Sequence, residues 1–304
     1  MARLLFAFCC SALALAALGQ RVQLPEGYTA QVDVVYTYAG AWVGKMDLYL
    51  PPPNGQPAPV VVHIHGGGFT HGSKESQTDF GAFFEMGFAV ANISYRLAKT
   101  APAPAAIEDV RCAVAYLAQN ASELNIDQTK IVTRGSSAGG HLALMAGLLC
   151  SENTFAVYCP DIRASVAAVV GVCPPTDLTT WDATAKKANK ATRAWLGGKE
   201  NDTSFMLSIS PITYAGKSSP PVFIAHGSAD KTVPIAQSRL LVEKLTAEGV
   251  YVDFYTVENG EHEFTREEHS AVSKAMTEFL KRVLEWYPPL SSLQNLNTLN
   301  IITP

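Results

Sequence analysis

The chain has 304 residues, of which 48% are hydrophobic and 16% charged, enough apolar material to bury a large core and too much for a disordered or fibrous chain. A formal net charge of −4 and a pI near 6.0 give no electrostatic footing for nucleic acid or an anionic membrane surface. A soluble protein acting on neutral substrates is the class that remains.

At the N-terminus, Arg3 precedes an uncharged run from Leu4 to Leu18, and Ala17 and Gly19 frame a cleavage point before Gln20. A charged start, a short apolar run and small residues predict a secretory signal peptide over 1–19, and the run is too short for a membrane span. The expected location is secreted or periplasmic. Cys9 and Cys10 leave with the leader, and Cys112, Cys150, Cys159 and Cys173 remain. An even number in an exported chain predicts disulfides. Cys150 and Cys159 bracket a short loop, which favours that pair and leaves Cys112 for Cys173. No cysteine spacing fits a metal site.

Residues 20–28 read as a lead-in. Residues 29–38 and 42–50 alternate apolar and polar side chains and predict an antiparallel hairpin about Ala39-Gly40. Residues 60–64 are nearly all apolar, as in a strand buried on both faces, and run straight into His65-Gly66-Gly67-Gly68-Phe69. A helix is expected over 76–86, a strand over 88–94, and a helix over 103–120 opened by Pro102 and Pro104. The strand at 131–134 leads into Gly135-Ser136-Ser137-Ala138-Gly139-Gly140-His141 and a helix over 138–149. After a strand at 166–172, an excursion over 174–219 opens at Pro174-Pro175 and closes at Pro220-Pro221. It holds Trp181, Trp195 and a Lys-rich helical patch at 186–193. A strand at 222–226, a helix at 235–248, a strand at 252–257 and a helix at 264–286 complete the pattern, and 290–304 is a tail. Strands and helices alternating after a hairpin predict the α/β class. The expected architecture is an eight-stranded, mostly parallel sheet with helices on both faces, in one domain over 20–289 with 174–219 inserted near its site.

Ser137 occupies the centre of Gly-x-Ser-x-Gly between a β-branched strand and a run of Ala, Leu and Met. A serine on so sharp a strand-to-helix turn has its hydroxyl exposed and the helix N–H groups aimed at the same point. That context favours a nucleophile over the other use of a strand, glycine turn and helix, a nucleotide-binding loop. A serine hydroxyl needs a base, and the base needs an acid to hold it. Both are expected from loops at the carboxyl ends of later strands. His226-Gly227-Ser228-Ala229-Asp230 follows one such strand and Asn259-Gly260-Glu261-His262 follows the last. Asp230 is preferred to Asp177, which also follows a strand. His262 alone among the seven histidines follows the final strand. His63, His141 and His269 are assigned to packing or solvent, and His226 to orienting the Asp230 loop. The order Ser137, Asp230, His262 is that of an α/β-hydrolase triad. The glycine run lets backbone approach a substrate, so the N–H groups of Gly67 and Gly68 with that of Ala138 are the candidate oxyanion hole.

His65-Gly66-Gly67-Gly68, Ser94-Tyr95-Arg96-Leu97, the Ser137 motif and the run from His226 to Asp230 together resemble the α/β-hydrolase superfamily. Within it they are similar to HGGG-bearing esterases of the hormone-sensitive-lipase type, and to secreted bacterial carbohydrate esterases related to feruloyl and acetyl-xylan esterases. The likeness covers about residues 29–287. It implies hydrolysis of a small-molecule or polysaccharide-linked carboxylic ester through an acyl-enzyme, with no metal or organic cofactor, no nucleic-acid partner and no membrane span. The short N-terminal lead departs from lipase-type members and argues against long-chain lipid substrates. Two rival readings are an amide hydrolase using the same residues and an inactive hydrolase fold used for binding; the complete residue set weighs against the second. Trp181 and Trp195 read either as stacking platforms for a sugar or as core residues of the insertion.

Overall fold

The computed structural model describes residues 22–149, 155, 158–159, 164–181 and 189–286; the expected leader, Cys150 and the 290–304 tail lie outside them. Eight strands form one sheet: β1 (Thr29–Ala39), β2 (Trp42–Leu50), β3 (Ala58–Ile64), β4 (Ala89–Ile93), β5 (Ile126–Ser136), β6 (Ala168–Val172), β7 (Val222–Gly227) and β8 (Val252–Val257). Their spatial order is β1-β2-β4-β3-β5-β6-β7-β8. The β1–β2 and β2–β4 pairs are antiparallel, and every other pair is parallel. Every residue of β4, β6 and β7 is buried, as their continuous apolar runs require.

The helices are α1 (Gly81–Glu85), α2 (Ala105–Gln119), α3 (Ala121–Leu124), α4 (Ala138–Leu148), α5 (Leu178–Trp181), α6 (Asn189–Leu196), α7 (Thr203–Ser208), α8 (Pro211–Tyr214), α9 (Ala236–Ala247) and α10 (Arg266–Trp286). They divide the core in two. Apolar side chains of α2, α4 and α9 pack on one face of the sheet, and those of α1 and α10 on the other. Helix α4 is buried all round, which is why its sequence carries no polar stripe. Among the described residues no helix is long and apolar enough to cross a membrane.

Two expectations are corrected. The helix over 76–86 is split into a 3₁₀ turn at Lys74–Ser76 and α1. Lys74 anchors the first piece: its buried ammonium lies 2.9 Å from Asp47 and 2.7 Å from Glu75. The Asp79 carboxylate accepts the Gly81 N–H (3.0 Å) and starts the second piece afresh. The disulfide joins Cys112 to Cys159, not Cys150 to Cys159, and Cys173 is a buried free thiol instead of the partner of Cys112. The Cα atoms of Cys112, on α2, and Cys159 lie 5.5 Å apart, whereas Cys173 directly follows β6 beside the Asp230 loop. Of the two readings open for Trp181 and Trp195, the core one is observed. The Trp181 indole donates to the Thr232 carbonyl (3.3 Å), and Trp195 is fully buried against Phe69 with ring centres 3.9 Å apart.

Two buried polar arrangements join this frame to the region above the sheet. Arg96, just past β4, donates to Asp109 through Nε (2.9 Å) and its own backbone N–H (2.7 Å). One of its two terminal nitrogens donates to Glu108 (2.8 Å) and to the Ala105 carbonyl (3.0 Å). His65 stacks on Tyr95 at 4.2 Å, and His141 contacts the Pro175 carbonyl through Nδ1 at 3.0 Å. Burial lowers both imidazoles to about 4, against the pull of the neighbouring backbone carbonyls.

Truncating Asp109→Ala leaves the Arg96 charge buried with half its partners, and urea unfolding is expected to show a loss of about 3–5 kcal/mol. The histidines set a pH dependence. Their folded values lie below the ordinary 6.5, so the unfolded chain binds protons that the folded one refuses. The stability they confer is complete above about pH 6.5 and is lost as the pH falls toward 4. Unfolding at pH 5 is expected to require less urea than at pH 7, by about 2 kcal/mol for each imidazole. Equal stability at the two pH values would refute the assignment.

Candidate active site

The turn between β5 and α4 brings backbone against backbone. A side chain on Gly139 would overlap the carbonyls of Ile64 and His65, and one on Gly135 would overlap Gly139 itself. With both positions bare, α4 begins directly above the carboxyl end of β3. Ser137, between them, is forced to φ 54° and ψ −120°, a conformation costly for a residue with a Cβ. Its N–H donates to the Val172 carbonyl (2.7 Å) and its carbonyl accepts the His141 N–H (3.0 Å), so both ends of the strained residue are held.

The loops after β7 and β8 meet over this serine. They are tied by the Ala229 N–H on the Gly260 carbonyl (2.9 Å) and the Asn259 N–H on the Ser228 hydroxyl (2.8 Å). His262 Nε2 lies 2.9 Å from Ser137 Oγ, and His262 Nδ1 lies 2.7 Å from Asp230 Oδ2. A carboxylate only accepts, which assigns the imidazole hydrogen to Nδ1 and leaves Nε2 to accept from the serine hydroxyl. The Asp230 side chain is sealed from solvent, while that of His262 is 14% exposed. Burial opposes the charged form of Asp230. The hydrogen bonds from His226, His262 and the Val233 N–H outweigh it and hold the carboxyl well below the usual carboxylate range.

Gly67 to Phe69 form the facing wall. Gly67 has φ +109°, and a side chain there would run into the His71 carbonyl, whose own N–H and that of Thr70 return to the Gly67 carbonyl. Among the described residues no hydrogen bond engages the N–H groups of Gly67, Gly68 or Ala138. Helix α6 lies against this wall: a Cβ on Gly68 would stand 3.2 Å from Ala191, and Trp195 stacks on Phe69. The rings of Phe69 and Trp195 both meet His141 edge-on, at 5.4 and 5.3 Å.

Ser137, Asp230 and His262, separated by up to 125 residues in sequence, are thus one hydrogen-bonded chain. Asp177 is placed elsewhere, accepting the N–H and hydroxyl of Thr179 at the start of α5. No sequence signal marks Ser238, which meets His226 from α9, or the Cys173 thiol beside Asp230. Among the described residues, Cys173, His226 and Asp230 form the one group with metal-ligand chemistry, their atoms lying within 4.8 Å of one another. His226 Nε2, however, faces the Val233 carbonyl (2.8 Å) and Asp230 (3.2 Å), so the nitrogen a metal would take carries a hydrogen.

The chain is similar to known esterases in both sequence and structure. It is 30% identical over 201 residues to esterase LipC of Mycobacterium tuberculosis, an overlap covering 63% of this chain and 49% of LipC. The chain spans between 45% and 62% of the length of LipC and of two further curated relatives, LipQ and LipM, from the same organism. A truncated carbohydrate esterase from gut microbiota superposes with a TM-score of 0.76 at 26% identity, covering 86% of this chain and 99% of the other. A bifunctional GH43-CE protein of Bacteroides eggerthii superposes with a TM-score of 0.71 at 29% identity, covering 84% of this chain and 35% of the other. The fold is that of the α/β-hydrolases, and the BD-FAE family profile matches residues 46–245, from within β2 to within α9. By that match, which takes in Ser137 and Asp230 with the glycine run before them, the chain belongs to the BD-FAE family.

Proposed function

We propose that the chain is a secreted serine carboxylesterase that hydrolyses short-acyl or carbohydrate-linked acetyl and feruloyl esters through an acyl-enzyme. The observation that carries this reading is the unbroken contact from Ser137 Oγ through His262 to Asp230, set beside unengaged backbone N–H groups. In acylation, Ser137 Oγ bonds to the ester carbonyl carbon as His262 Nε2 takes its proton. The carbonyl oxygen gains the negative charge and accepts from the N–H groups of Gly67, Gly68 and Ala138. Expulsion of the alcohol consumes the proton on His262. Water then repeats the sequence on the acyl-serine and releases the acid. Asp230, charged throughout the working range, stabilises the imidazolium that forms in each half.

Export is supported by the leader-like start and by the Cys112–Cys159 bridge, which an oxidising compartment maintains. Carbohydrate-linked esters are supported by the structural likeness to the carbohydrate esterase and the GH43-CE protein.

The test is turnover of p-nitrophenyl acetate by residues 20–304 beside the same chain carrying Ser137→Ala. The variant is expected to fall by about 10⁴–10⁶-fold in kcat with the fold intact. Equal activity of the two proteins would overturn the assignment of Ser137. Between acetylated xylan and methyl ferulate, turnover of either supports the carbohydrate-ester reading. Activity confined to aryl esters would remove it.

A further inference from the structure

Asp230 has more donors than its bond to His262 requires. Oδ1 accepts the N–H groups of Thr232 (2.8 Å) and Val233 (2.9 Å), while Oδ2 faces both His262 Nδ1 (2.7 Å) and His226 Nε2 (3.2 Å). His226, at the end of β7, is wholly buried. Its Nε2 looks at two oxygens that bear no hydrogen, Val233 O at 2.8 Å and Asp230 Oδ2, so Nε2 must be the protonated nitrogen. Its Nδ1 meets the hydroxyl of Ser238 at 2.6 Å, and Ser238 on α9 is itself fully buried. Of these neighbours only the hydroxyl can supply a hydrogen.

We infer that His226 and Ser238 are positioning residues for the proposed reaction: Ser238 donates to Nδ1 of His226, which fixes the hydrogen on Nε2, and that hydrogen holds Asp230 Oδ2 where His262 meets it. The inference rests on the esterase reading of the site. The reversed tautomer would set a bare Nε2 lone pair against two oxygens in a region closed to water, where nothing else relieves the repulsion. A helix that contributes nothing to the Ser137–His262 contact would in this way set the carboxylate that orients the base.

The consequence for catalysis is electrostatic. A donor on Oδ2 draws off part of the negative charge that His262 faces, so losing it favours the imidazolium. The groups facing Asp230 are His226 from β7, His262 from the loop after β8, and Cys173 from the end of β6. Burial, reinforced by the Asp230 charge, holds the Cys173 thiol far above its ordinary range, so it stays protonated. Glu261 and Glu263 flank His262 in sequence and are exposed.

The test compares Ser238→Ala, Ser238→Thr and His226→Gln in the full chain on p-nitrophenyl acetate. In Ser238→Ala, kcat is expected to fall about tenfold with KM unchanged. The acid limb of the pH profile is expected to move upward by about half a unit. Ser238→Thr, which keeps the hydroxyl, restores both. Stoichiometric labelling of Ser137 by a phosphonate verifies that each variant is folded. Wild-type kcat and acid limb in a folded Ser238→Ala overturn the inference, as does failure of the Thr variant to restore them. Imidazole ¹⁵N shifts of the unmodified chain read the tautomer without any substitution: a hydrogen on Nε2 and none on Nδ1 is expected, and the reverse overturns it. Failure of the underlying reading looks different, since Ser137→Ala would then retain full activity whatever the state of His226.

Discussion

The approach of α4 to the carboxyl end of β3 leaves no room for a side chain, and the rest of the site follows from that. Gly139 seats against the Ile64 carbonyl, so the first turn of α4 lies directly over the sheet. Ser137 then has one way to connect β5 to α4, through a conformation with φ 54° that costs on the order of 1–3 kcal/mol. The bonds to Val172 and His141 offset part of that cost and keep the residue from relaxing. What the strain secures is direction: Oγ stands clear of the sheet toward His262.

Charge is handled in layers. Asp230 is buried and surrounded by donors, so its ionised form is preserved by hydrogen bonds. His262 is the partly exposed member, placed between a sealed carboxylate and an open hydroxyl. His65 and His141, buried nearby, are held neutral by desolvation and act as packing surfaces. The same side-chain chemistry thus takes two roles in one region of the fold, decided by how much water each ring retains and what lies against its nitrogens.

Much of this was legible in the sequence, for a physical reason. Ser137, Asp230 and His262 each sit in a short local signal at the end of an apolar strand, and a parallel sheet gathers its carboxyl ends in one place. The buried strands β3, β4, β6 and β7 were visible as nearly uninterrupted apolar runs, and β1 and β2 by the alternation of a sheet with one face covered. What was not legible depends on contacts between distant elements. Ser238 looks like any serine in a helix until α9 packs on β7. The cysteine nearest Cys159 in sequence gave the wrong partner, because the tertiary path of the chain decides which Cα atoms come within reach. The helix over 76–86 failed on a local competition, the Asp79 carboxylate capturing the Gly81 N–H and restarting the turn.

The stack of Trp195 on Phe69, with His141 set edge-on to both, draws the segment between β6 and β7, the glycine run and α4 into a single aromatic block. That segment therefore cannot be exchanged the way a surface loop is exchanged. A replacement must return a flat ring to the same height, or Phe69 loses its support and the adjoining backbone amides drift with it. For an evolving lineage, reshaping this segment and keeping the surroundings of Ser137 in place become one problem, and position 195 is where the two demands are hardest to separate.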